Sequence, residues 1–310
     1  MGLRRSDLTS ESRQNKNAGN SGDLLKHSAY LALANELVRR SPWRDELRVL
    51  QAHAGKGVYA ATSSHLRSAR SLPGYQQSPL GRAQAGAFAN PPAGLGQIAG
   101  LADDELPYAG SAVLHALELA RVPRRALILM DHDLEVRETL SRVFEEPALR
   151  PAALGLELVD PGERSEPSIL RSLEDGRYLP THVLHFDPFA FVMDPDDATR
   201  ELYLSLVGAC DEEVRLGRLG ATSLFFTWGS YSAAALDDLF GPGYRDGLPG
   251  GYQSLLGAVA PSRRIVLTWC WSFYFSLLLV VPEGVRAGLV MRLRNYAEAF
   301  RPRLSTLEIV

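Results

Sequence analysis

Four apolar runs of strand length each end on a turn-forming or acidic residue, and this repeated pattern restricts the fold more than any single motif. Leu47, Val49 and Leu50 lead into His53-Ala54-Gly55-Lys56-Gly57, and Ala126 to Met130 lead into Asp131. Leu154 to Val159 lead into Asp160, and Val183 to Phe186 into Asp187. Short apolar runs bounded by turn signals and separated by helical spacing read as buried parallel strands alternating with helices. Parallel strands bring their carboxyl ends to one edge, so these four polar ends are expected to converge in the crevice where such sheets hold ligands. A further strand is expected at Leu224 to Trp228, then a strand pair at about 264–271 and 273–281 and a helix through Phe300. The chain therefore reads as an α/β protein with a mostly parallel sheet covered on both faces.

Composition narrows the function classes. With 310 residues, 45% of them hydrophobic, the chain can bury a large core. A net charge of -3 gives no global positive field of the kind that marks a nucleic-acid binder. Cys210 and Cys270 are the only cysteines, which leaves no zinc ribbon or thioredoxin motif and fits a reducing, cytoplasmic setting. No metal is expected. The first residues, MGLRRSDLTSES, lack the apolar core of a signal peptide, and residues 1–16 are expected to be a loose tail. The apolar stretch Ile265–Pro282 is interrupted by Thr268, Ser272 and Ser276 and is read as strands, so no membrane span is expected.

Asn17 to Asp23 reads as a capping loop before a helix whose apolar positions Leu24, Leu25, Leu31, Leu37 and Val38 recur at helical spacing. Lys26 and His27 fall in its first turn, where a cation opposes the helix dipole. Residues 60–107 carry no strong strand signal and are rich in Ser, Gly, Pro, Gln and Ala. They are expected to form a small, mostly helical insertion after the first strand, leaving 17–59 and 108–310 as the main domain.

Asn17-Ala18-Gly19-Asn20, Asp23-Leu24-Leu25-Lys26-His27, His53-Ala54-Gly55-Lys56-Gly57-Val58-Tyr59 and Ala109-Gly110-Ser111 carry a resemblance. In order and approximate spacing they resemble the bacterial 23S ribosomal RNA adenine-N6 methyltransferase family known as RlmJ, from about Asn17 to about Asp187. The resemblance implies a Rossmann-like class I methyltransferase with a seven-stranded sheet and S-adenosylmethionine as cofactor. Carried over by position, Lys26, His53, Ser111, Asp131 and Asp160 would hold the cofactor beside the glycines Gly55 and Gly57. Asp131 would take the ribose hydroxyls, Asp160 the adenine amino group and Lys26 the methionine carboxylate. Asp187, with Pro188 and Phe189, would form the catalytic motif.

The sequence departs from that family on the acceptor side. Where the family has D-P-P-Y, this chain has Asp187-Pro188-Phe189-Ala190, so the second proline and the base-stacking aromatic are replaced. The family's N-terminal tyrosine and histidine align near Ser12 and Gln14, and Gln51 stands for an acid at the end of the first strand. These changes put the acceptor in doubt and favour an amine on a small molecule, with Trp228, Tyr231, Trp269 and Trp271 as candidate pocket walls. The alternative is adenine N6 of 23S RNA, with Arg4, Arg5, Arg13, Lys16 and the arginines of 67–82 as a basic face. A non-catalytic cofactor-binding protein is the third reading.

Overall fold

The computed structural model describes residues 3–8, 18–90, 94–150, 155–162, 165–177, 179–187, 197–227 and 250–310. Its strands, in chain order, are β1 (Glu46–Ala52), β2 (Val58–Ala61), β3 (Leu106–Ala109), β4 (Arg124–Met130), β5 (Leu156–Val159) and β6 (His182–Phe186). β7 (Ala221–Thr227), β8 (Arg264–Cys270), β9 (Tyr274–Val280) and β10 (Thr306–Ile309) follow. The helices are α1 (Arg5–Leu8), α2 (Ser21–Leu37), α3 (Ser64–Arg70), α4 (Pro79–Ala87) and α5 (Ser111–Leu119). They continue with α6 (Leu134–Glu145), α7 (Ser165–Glu174), α8 (Asp197–Arg215), α9 (Gly250–Gly257) and α10 (Glu283–Ala297).

The main sheet has eight strands in the order β10-β8-β9-β7-β6-β1-β4-β5. Strands β5, β4, β1, β6 and β7 are mutually parallel, and β9 enters antiparallel between β7 and β8. The expectation of seven strands is corrected by β10, which pairs antiparallel with β8 along the outer edge. Its residues, Thr306 to Ile309, alternate polar and apolar over only two periods and lead into no acidic or turn-forming residue, the signal that marked β1, β4, β5 and β6.

Side-chain alternation on β1 explains the two-sided burial. Leu47 and Val49 enter a core layer with Leu24 and Leu25 of α2, Val113 of α5 and Leu289 of α10. Leu50 and Ala52 enter the opposite layer with Ile169 of α7, Tyr203 and Leu206 of α8 and Leu255 of α9. Each fully buried aliphatic side chain contributes about 1.5 to 3 kcal/mol of transfer free energy, so both faces of β1 specify its central place. The chain leaves β1 toward β4 and β5 on one side and later returns to β6 and β7 on the other. The crevice between the ends of β1 and β6 is thus the topological switch point.

Between β1 and α5 the chain makes an excursion of its own. β2 and β3 pair antiparallel into a separate two-stranded ribbon, and α3 and α4 lie between them. The ribbon occupies the margins of the stretch read as strandless, starting at Val58 and ending at Ala109. Residues 3–8 differ from the loose tail expected of them. Leu3 and Leu8 are buried, the Arg5 N–H donates to the Ala99 carbonyl and the Arg5 guanidinium pairs with Glu105 at 2.6 Å. Two apolar residues five apart supply the anchoring that a basic and polar reading overlooks.

Candidate functional site

The turn leaving β1 is wound left-handed at His53 (φ 59°), Gly55 (φ 64°) and Gly57 (φ 76°). Gly55 is required twice over, because a Cβ there would also stand 2.3 Å from the Tyr59 hydroxyl. That hydroxyl accepts the Lys56 N–H at 3.0 Å, so Tyr59 braces the turn from below. The Gly57 carbonyl accepts from the Gly110 N–H at 2.7 Å, which joins the turn to the start of α5. Lys56 is buried, and its ammonium reaches Glu135 of α6 at 3.0 Å. His53 is the only described non-glycine residue with positive φ, a conformation that costs about 1 to 3 kcal/mol unless its surroundings hold it.

Asp131, directly after β4, is the acid that holds the backbone of this turn. Its carboxylate accepts the Gly55 N–H at 3.2 Å and the Asp133 N–H at 3.0 Å, and its side chain is almost wholly buried. Each carboxylate oxygen has a second lone pair, so two backbone amides fix the group and leave it able to accept further hydroxyls. Asp160, after β5, lies further out. It is exposed, accepts the Gly162 N–H at 2.9 Å and pairs with Arg137 at 2.7 Å. Arg137 also donates to the Asp131 carbonyl at 2.6 Å, so one guanidinium ties the ends of β4 and β5 together.

On the other side of β1, Asp187 follows β6 and meets a residue far away in sequence. Lys26 Nζ lies 2.5 Å from Asp187 Oδ2 and 2.8 Å from Asp23 Oδ1, with the ring of Phe225 4.8 Å below the ammonium. The local sequence builds this post. Asn20 caps α2 by accepting the Asp23 N–H, and Asp23 in turn accepts the Gly19 N–H at 3.0 Å. Burial works against the charge on Lys26, yet the carboxylates of Asp187 and Asp23 hold its pKa above the ordinary lysine range. Asp23 is likewise penalised by burial and is kept below the usual carboxylate range mainly by Lys26.

Three groups of contacts were not foreseen from the sequence. His53 Nε2 lies 3.3 Å from Oε1 of Glu166, a buried residue of α7, and the same oxygen accepts the Tyr203 hydroxyl of α8 at 2.5 Å. Gln51 donates its amide to the Ser111 hydroxyl at 2.5 Å, which buries Ser111 at the first turn of α5. Beneath Lys26, the rings of His115 and His185 stack at 4.5 Å, and Tyr30 lies 4.1 Å from His185. His185 also bonds Ser223 at 2.6 Å and His27 bonds Tyr108 at 2.7 Å.

The structure thus brings Lys26, His53, Gly55, Gly57, Asp131 and Asp187 to one sheet edge, with Ser111 behind the turn and Asp160 at the rim. Pro188, Phe189, Trp228, Tyr231, Arg13 and Lys16 lie outside the described residues. Trp269 is corrected from pocket wall to core. It is fully buried, stacks on Phe225 and Phe275 and donates its indole N–H to the Ser21 carbonyl. Among the described residues no group of three His, Cys, Asp or Glu side chains is arranged to hold a metal ion. No helix of the described residues is long and apolar enough to cross a membrane.

This sheet order, with one antiparallel strand inserted between the last two of the main series, defines a Rossmann-like fold of the class I methyltransferase type. No family model and no curated protein matches the chain. Among solved structures, it is similar to protein LPL1258 from Legionella pneumophila, with a TM-score of 0.57 and 14% identity over 94% of this chain and 97% of that one. A probable spermidine synthase from Corynebacterium glutamicum matches with a TM-score of 0.42 and 10% identity over 86% of this chain and 70% of that one. The human methyltransferase 10 domain containing protein matches with a TM-score of 0.35 and 10% identity, covering 82% and 81% respectively.

Proposed function

We propose that the protein is an S-adenosylmethionine-dependent methyltransferase acting on an amine of a small molecule. The observation that carries this reading is the pairing of two differently held acids across the switch point: Asp131, fixed by backbone amides of the glycine turn, and Asp187, held by the buried Lys26. The residues present fit such a cofactor. Asp131 keeps lone pairs for ribose hydroxyls, and His53 Nδ1 is buried with no partner among the described residues, which in a native site points to a group supplied from outside. Lys26 supplies a cation for the amino-acid end of the cofactor and Asp160 a rim acceptor.

When bound, S-adenosylmethionine supplies an electrophilic methyl group. The chain's own part is to aim a nucleophile at it. Asp187 accepts an amine hydrogen, which turns the nitrogen lone pair away from the carboxylate and toward the methyl at near-attack distance. Lys26 holds one oxygen of Asp187 and leaves the other for the acceptor. The low-polarity floor formed by Phe225 and the neutral imidazoles strengthens these interactions.

The small-molecule reading is supported by the state of the arginines expected to form an RNA-binding face. Arg5 is paired with Glu105, and Arg67 donates to the carbonyls of Asp104 and Thr62. Arg70 donates to the Pro107 carbonyl and Arg82 to that of Gln77, so all four fasten the excursion. Incubation of the protein with methyl-labelled cofactor and whole-cell extract tests the assignment. Label is expected in the small-molecule fraction and to vanish with Asp187→Ala. Label in RNA would move the acceptor to adenine, and label in neither would leave a cofactor-binding protein without turnover.

A further inference from the structure

His53 sits where three strand ends meet, and the sequence explains neither its backbone nor its buried partner. It is the described residue whose left-handed backbone glycine would adopt at no steric cost. A histidine in place of glycine at such a position points to a use for its side chain. The side chain is tied at one nitrogen: Nε2 lies 3.3 Å from Glu166, and Nδ1 is buried without a partner among the described residues. Glu166 is only 4% exposed, and its oxygen is braced by the Tyr203 hydroxyl at 2.5 Å. A carboxylate buried to this extent is costly unless it serves a charged or polarised neighbour.

We infer that Glu166, braced by Tyr203, is a positioning residue of the glycine turn: it takes one imidazole nitrogen of His53 and leaves the other as the turn's polar group for the cofactor. Helices α7 and α8, which follow β5 and β6, are thereby coupled to the turn after β1. This rests on the methyltransferase reading. Among the described residues, the charged groups acting on His53 are Glu166 from α7, Asp187 from the end of β6 and Asp131 from the end of β4. Burial lowers the His53 pKa, but these carboxylates, Glu166 foremost, raise it overall above the usual 6.5. Glu166 itself, penalised by burial, is drawn down to about 2 by His53 and Tyr203.

The test uses the full chain and two readouts. Calorimetry with S-adenosylmethionine and with S-adenosylhomocysteine is expected to show about tenfold weaker binding for Glu166→Gln, with a smaller loss in the same direction for Tyr203→Phe. Histidine ring signals followed by NMR against pH, with His53 assigned by the loss of its signal in His53→Asn, are expected to show its midpoint falling in Glu166→Gln. Thermal unfolding of Glu166→Gln, which keeps the shape of the side chain, establishes that the variant is folded. An unchanged His53 midpoint, or unchanged affinity in folded Glu166→Gln, overturns the inference while leaving the methyltransferase reading in place. Absence of binding by the unsubstituted protein overturns that reading and the cofactor role of His53 with it. A fallen midpoint would then show only that Glu166 and His53 are coupled.

Discussion

Asp131 and Asp187 end strands on opposite sides of β1, yet they are held by different kinds of partner. Asp131 is gripped by two backbone N–H groups, which belong to a turn and a helix start and cannot move away. Asp187 is gripped by one ammonium, which it shares with Asp23. Backbone anchoring gives a fixed acceptor, suited to a group that binds in the same way at each turnover. Side-chain anchoring gives an acid whose partner can be shared with a ligand. The comparison assigns permanence to the cofactor half of the crevice and adjustability to the acceptor half.

Removing Asp187 should break the comparison most completely. Asp187→Ala is expected to lower turnover by about 10²- to 10⁴-fold, the range for losing a positioned proton-accepting group, with cofactor affinity kept within about tenfold. Parental turnover in a methyl-transfer assay would end its catalytic role and send the search to His53, His132 or His185. Lys26→Ala leaves Asp23 and Asp187 as unpaired carboxylates in a largely buried pocket. Chemical denaturation should report a loss of about 3 to 5 kcal/mol, the usual result of breaking a buried ion pair on one side. Stability unchanged within 1 kcal/mol, on the order of an exposed pair's contribution, would show that water already screens the post.

Asp131→Ala should weaken cofactor affinity by roughly 1 to 3 kcal/mol through the loss of a preformed acceptor, and it also takes the acceptor from the Gly55 and Asp133 N–H groups. Calorimetry decides this, and unaltered affinity would remove Asp131 from the site.

Acid should reach the floor beneath Lys26. Burial, with Lys26 adding to it, lowers His27 to about 3, and burial lowers His115 to about 3 as well. Both are neutral when folded and take up protons near 6.5 when unfolded. Their stabilisation is therefore complete above pH 6.5 and lost as pH falls from 6.5 toward 3. His27 alone should cost about 1.4 kcal/mol by pH 5.5. Flat stability between pH 7 and 5.5 would contradict the buried, neutral assignment. Smallest is Asp160→Ala: an exposed carboxylate paired with Arg137 should change stability by less than about 1 kcal/mol, read by thermal unfolding.

What the sequence disclosed follows the range over which its signals act. Apolar runs located the strands of the main sheet other than β10 to within a few residues, and the acids after β4, β5 and β6 were visible because a strand end and a following turn are local events. The partner of Lys26 was not visible. Asp187 is 161 residues away, and only the pairing of β6 beside β1 brings it to the first turn of α2. Lys26 did leave a trace, as a cation placed against the helix dipole. Glu166 left none, since a glutamate in the first turn of a helix is what the dipole favours. β2, β3 and β10 are four residues each, as β5 is, but none of them leads into an acidic residue, the signal by which β5 was read.

The β2–β3 ribbon has a consequence for engineering. Because its strands are antiparallel neighbours, the polypeptide departs from the main domain at Val58 and rejoins it at Ala109, its paired residue. A segment whose two ends already touch can be gained, lengthened or exchanged without rerouting anything else. Its cargo is less free. Gln84 clasps both the N–H and the carbonyl of Ala109, while Leu66 and Leu80 are buried in the core layer that also contains Leu24 and Leu25 of α2. A replacement loop would have to bring its own apolar underside, so a swap that preserves only the ribbon should express as an aggregation-prone protein, and one that also preserves Leu66, Leu80 and Gln84 should remain monodisperse by size-exclusion chromatography.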